Sequence, residues 1–211
     1  MAPSKNFLQR LTGGDRRSIG QSDDVAALVR KRPSLFRELV RGMRSEDPLI
    51  RMRSADAAEK VSRAQPELLG PHKGELLRLL DSADEQELRW HLAQMVPRLE
   101  LTKRERLLAA STLRKYLRDS SFGSDRSVRP TSSIVSTFAL QALAELAEKE
   151  QSLRLDVIRL LRESLKTGTA AMKARSRKIL KQMEKRRGRE LAEKPIPRDS
   201  HRASAATNTS E

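Results

Sequence analysis

At 211 residues the chain is long enough for one domain with its own core plus tails. Aromatics are only 3% and the apolar residues are mostly Leu, Ala, Val and Met, which argues against a β-sandwich or barrel and for an all-α fold. The lack of cysteine excludes disulfides, thiolate metal ligands and a cysteine nucleophile, while the net charge of +15 points to an anionic partner only if it is localised.

The lead-in, residues 1–20, holds no apolar stretch of the kind a secretion signal needs. Phe7, Leu8 and Leu11 lie among Arg10, Arg16 and Arg17, which leaves a transit peptide open beside a short packed lead-in. The next segment, about 22–31, predicts a helix that caps the N-terminal end of a helical stack.

Four segments beyond it share one register. They begin Ile50-Arg51-Met52-Arg53-Ser54-Ala55, Leu88-Arg89-Trp90-His91-Leu92-Ala93, Val135-Ser136-Thr137-Phe138-Ala139-Leu140 and Met172-Lys173-Ala174-Arg175-Ser176-Arg177. Their second positions, Arg51, Arg89, Ser136 and Lys173, are 38, 47 and 37 residues apart, and the long interval holds an insertion, Ser120 to Thr131. Helix starts precede each copy: Asp47 as N-cap with Pro48 at the first helical position, Asp84 as the better cap of the second, then Ser132 and Thr169. Between them, apolar stripes predict partner helices at about 34–43, 66–80, 103–118 and 152–166, with a kink or restart at Pro71. From 188 onward Gly, Pro, Ser, Thr and Asn replace the apolar period, and a disordered tail is expected.

Asp47-Pro48-Leu49-Ile50-Arg51-Met52-Arg53-Ser54-Ala55-Asp56-Ala57-Ala58 resembles the opening of the second helix of a HEAT repeat, with its acidic residue and Pro, its aliphatic-Arg pair and its alanine-rich turn. Leu88-Arg89 through Ala93 is similar, whereas the third copy has Ser136 and the fourth Lys173 at the basic position. The resemblance covers residues 34–185. It implies a right-handed, armadillo-like α-solenoid of about four HEAT-like helix pairs over 21–187, in which each pair completes its core against its neighbours.

A solenoid presents a surface, and no reactive motif accompanies it. There is no GxxxxGK[ST], no GxSxG, and none of His72, His91 and His201 is followed by Glu. The expectation is a non-enzymatic scaffold without cofactor or metal, cytoplasmic, that binds a protein partner. Arg51, Arg53, Arg89, Trp90 and His91 are its candidate contacts, although the basic position of the HEAT family is usually structural and Trp90 and His91 equally suit packing.

The charge is uneven: residues 34–102 sum to −1 and residues 169–187 to +7. Lys173, Arg177 and Lys181 form one stripe with Arg175 and Lys178 beside it, so nucleic-acid binding through this segment is the alternative, and an end cap whose cations suit a helix C-terminus the plainer reading. A DNA glycosylase acting on alkylated bases, which uses a similar helical-repeat fold, is a weaker alternative, because one Trp and one Tyr give few aromatics to surround a base. Attachment to anionic membrane is the least favoured, since the apolar side of the segment is needed for packing.

Overall fold

A computed structural model describes residues 7–14, 18–121 and 133–192; the readings on most of the insertion, on Ser132 and on 193–211 lie outside the described residues. Among the described residues all regular structure is helical. After a helical stretch at residues 7–9 come α1 (Ser22–Lys31), α2 (Phe36–Gly42), α3 (Pro48–Ala64), α4 (Lys73–Ser82), α5 (Gln86–Met95), α6 (Lys103–Ser121), α7 (Ser133–Lys149), α8 (Arg154–Thr167) and α9 (Ala170–Ala192). Short 3₁₀ turns at Pro33–Leu35, Pro66–His72, Val96–Arg98 and Gln151–Leu153 lead between them.

Proline and the caps set the joints. Asp47 takes the Leu49 backbone N–H on its Oδ1 at 2.8 Å, and Pro48 opens α3 where no N–H is needed. Pro71 lies within the 3₁₀ stretch 66–72, so the partner helix expected over 66–80 starts afresh at Lys73. The second copy departs from expectation: Glu85, not Asp84, holds the N-cap position of α5, without a side-chain capping bond. Its carboxylate instead accepts hydrogen bonds from Nε and Nη2 of the Arg51 guanidinium. Helix α9 runs through Gly188 to Ala192; one helical glycine costs only about 1 kcal/mol.

The helices that share a register pack side by side: α3 on α5, α5 on α7, α7 on α9. Each carries the helix that precedes it, α2 on α3, α4 on α5, α6 on α7 and α8 on α9, and α1 lies on α3. The apolar stripes meet in one continuous core that includes Leu39, Met43, Val61, Leu76, Leu92, Met95, Leu113, Leu140, Leu143, Leu161 and Ile179. Burying each such side chain contributes about 1.5–3 kcal/mol, and stacked pairs share that core with their neighbours. The lead-in joins this core through Phe7 and Leu11, both buried.

Candidate functional site

The shared register places equivalent side chains in rows across the second helices. Two residues past the anchors stand Arg53, His91, Phe138 and Arg175; five past, Asp56, Gln94, Gln141 and Lys178; nine past, Lys60, Arg98, Glu145 and Gln182. These positions lie three and four residues apart, so on α3, α7 and α9 they share one face, while in the second copy Arg98 falls in the 3₁₀ turn just after α5. From α5 to α9 they line one groove: Gln94, Arg98, Phe138, Gln141, Glu145, Arg175, Lys178 and Gln182 surround a volume of about 280 Å³.

Within the groove Gln141 links two helices. Its Oε1 accepts from Arg175 at 3.3 Å, and its Nε2 donates to Glu145 at 2.7 Å. The Arg175 guanidinium also sits 5.7 Å from the centre of the Phe138 ring, close enough for a cation–π attraction. The floor is thus aromatic, and its walls offer amides that can both donate and accept.

At the α3 end the same rows are closed. Arg53 is 1% exposed, and its guanidinium donates to the carbonyls of Leu11 at 2.8 Å, Gly13 at 2.6 Å and Ser18 at 3.2 Å. Gly20, with φ +54°, lets the returning chain press on that guanidinium; a Cβ there would stand 2.8 Å from Arg53 Cζ. Arg53 therefore anchors the lead-in and is not available to a partner in this conformation. Asp56 accepts from the Ser22 hydroxyl and faces Lys60 Nζ at 2.7 Å, and Lys60 also reaches Asp23 at 2.6 Å. Glu59, 1% exposed, is held by Arg63 and by Arg98, each at 2.7 Å. Burial pushes the Glu59 carboxyl upward, but the hydrogen bonds from Arg63 and Arg98 outweigh it and hold it below the usual carboxylate range.

The other sequence candidates divide in the same way. Arg51 bridges α3 to Glu85 and also donates to the Ser45 and Glu46 carbonyls, and the hydrogen bond to Glu85 raises its pKa. Arg89 donates to the Ala83 carbonyl at 2.7 Å and lies 4.7 Å from the centre of the buried Tyr116 ring. This basic row ties the helix starts together. His91 is buried beside Asp56, 4.0 Å away, and burial lowers its pKa to about 4 against the pull of the Asp56 and Glu59 carboxylates. Trp90 is half-buried against the core and meets the His91 ring edge-on at 5.3 Å. Trp90 therefore keeps some exposed surface, while His91 keeps almost none.

On α9, Ser176, Ile179 and Met183 are buried, Lys173 and Arg175 are half-buried, and Arg177, Lys178 and Lys181 are exposed. The basic stripe is therefore split: Arg175 and Lys178 face the groove, and Arg177 and Lys181 lie across the helix from the core. The pair Gln94 and Gln141, with Gln182 one turn along, is not among the sequence candidates; its signal is an amide at the same register position of two adjacent copies. Among the described residues no group of three His, Asp or Glu side chains could hold a metal ion, and no helix is long and apolar enough to cross a membrane. Comparison with family models, with curated proteins and with solved structures finds no match.

Proposed function

We propose that the protein is a non-catalytic scaffold, a right-handed HEAT-type α-solenoid of four helix pairs that holds an extended segment of a protein partner in the groove between α5, α7 and α9. The observation that carries this reading is the alignment of Gln94, Gln141 and Gln182 with Phe138 in one groove. An extended peptide exposes N–H and C=O groups along its length, and each side-chain amide can take one of either kind. Phe138 supplies an apolar contact at the centre, where interface energy is usually concentrated. The HEAT resemblance is supported by the side-by-side packing of α3, α5, α7 and α9, each with its preceding helix.

The test is a photo-crosslinking residue placed at Gln141 or Gln182, with the exposed Arg162 of α8 as the control position. A partner captured from the groove and not from the control is expected to bind the purified protein. Phe138→Ala and Gln141→Ala should each weaken that binding by about tenfold or more, the loss of roughly 1.4 kcal/mol or more. Equal capture at the control position, or a captured partner indifferent to both substitutions, overturns the reading.

A further inference from the structure

The free flank of α9 carries charge that the groove does not use. Exposed Arg177, Lys181 and Lys185 follow one another at single-turn spacing, about 6 Å apart along the helix. None of the three is in an ion pair among the described residues, whereas Lys178 belongs to the groove. Arg186 differs, being paired with Glu148 of α7. On α6, Arg114 is paired with Asp156 at 2.6 Å and Lys115 with Asp81 at 3.4 Å, which leaves exposed Lys103 and Arg104 at the start of that helix.

We propose that this flank binds the sugar-phosphate backbone of duplex nucleic acid without sequence preference. The ridge from Arg177 to Lys185 is about 12 Å long, roughly the axial length of three to four phosphates on one strand. Exposed Glu184 lies on the same flank, so the three cations stand against one carboxylate and the ridge keeps a net positive charge. The exposed residues at the start of the helix are small, Ala170, Ala171 and Ala174, so this end can approach a surface closely. Large apolar side chains of α9 are turned into the core at Ile179 and Met183, so the flank has nothing to insert into a bilayer. No aromatic stands on it to stack a base, so backbone contact alone is expected and base sequence is not read. This inference rests on the α9 flank and not on the peptide groove, so each can fail without the other.

The experiment measures binding of the full chain to a fluorescent duplex of about 20 base pairs over a salt series. Three phosphate contacts give a log–log slope near −2.7, by about −0.9 per contact. The combined variant Arg177→Gln, Lys181→Gln, Lys185→Gln is expected to weaken binding at least tenfold at low salt and to remove most of that slope. Its circular dichroism and thermal midpoint should match the parent's. A second variant, Arg30→Gln with Lys31→Gln and Arg32→Gln, removes as much charge at the end of α1 and should change affinity less than twofold. Equal losses from the two variants would show diffuse attraction to a basic protein and overturn the proposal. So would a duplex affinity that ignores salt, or vesicles with acidic lipid that bind through the same three residues while the duplex does not.

Discussion

In the half of the molecule built from α1 to α5, many cations face inward or are matched by carboxylates. Arg53 lies beneath the lead-in, Arg98 and Arg63 enclose Glu59, Lys60 joins Asp23 to Asp56, and Arg51 grips Glu85. On the flank of α9 the same residue types stand in solvent beside exposed Glu184, outside any ion pair among the described residues. A positive charge can therefore be a fastener or a free surface at the same register position, and net charge follows the difference: −1 over residues 34–102 against +7 over 169–187. What decides is whether another segment covers the helix face. Arg53 and Arg175 hold the same register position, but Arg53 has a lead-in folded over it and Arg175 opens on the groove.

The sharpest way to break this contrast is to remove a fastener. Arg98→Ala strips Glu59 of the partner that reaches it from the next pair and leaves a carboxylate, 1% exposed, with only the mostly exposed Arg63. Breaking a buried pair from one side costs about 3–5 kcal/mol. In a protein of this size that lowers the thermal midpoint by roughly 6–20 °C, at about 2–4 °C per kcal/mol. Removing both charges, as Glu59→Met with Arg98→Met, should recover most of the loss, because no buried charge is then left alone. Chemical denaturation of the parent and these two variants checks the expectation.

Arg53→Met tests the second fastener. It deletes three charge-assisted bonds to backbone carbonyls while keeping much of the volume. A loss of about 2–4 kcal/mol is expected, from bonds worth about 1.5–3 kcal/mol each with partial recovery by water. The damage should be local. Limited proteolysis should cut within residues 7–20 long before it reaches α3, whereas Arg98→Ala should expose the α3–α5 joint.

These outcomes divide along the line of what is legible in the sequence. Helix order, the restart after Pro71 and the Asp47-Pro48 start are legible because each depends on a few adjacent residues. The second copy misleads for a tertiary reason: Glu85 is turned toward Arg51, thirty-four residues earlier, and so does no capping. Arg53 and His91 read as surface candidates because periodicity gives the face of a helix and not what lies on it. Gln141 is passed over because an isolated glutamine carries no signal; only its neighbours Arg175 and Glu145, from another helix and from the next turn, give it a place.

His91 gives a smaller and conditional effect. Its surroundings are Asp56, Glu59, Lys60 and Arg63, and its Nδ1 is buried without a hydrogen-bond partner. With burial lowering its pKa to about 4 from 6.5, the unfolded chain binds the extra proton over that interval and the folded one does not. The contribution to stability is therefore complete above about pH 6.5 and falls as the pH drops toward 4, by up to about 3 kcal/mol. His91→Leu keeps the site apolar and cannot be protonated, so its stability should decline less over that window. Denaturation midpoints measured between about pH 4.5 and 7.5 decide it, and a decline equal to the parent's would assign the effect to other groups.

The smallest expected change is the most informative about α9. If its exposed cations are surface and not fasteners, then Arg177→Gln, Lys181→Gln and Lys185→Gln should each move stability by no more than about 0.5 kcal/mol. Glutamine keeps helix propensity close to that of lysine and arginine, so the helix itself is not put at risk. Relief of repulsion among neighbouring cations favours a small gain, and loss of attraction to the C-terminal end of the helix a small cost of similar size. Their near cancellation is what a ligand-facing surface predicts. A loss of about 2 kcal/mol or more from any one of them would mean that α9 holds its place by these charges, as α3 and α5 do, and would remove the contrast between the two ends.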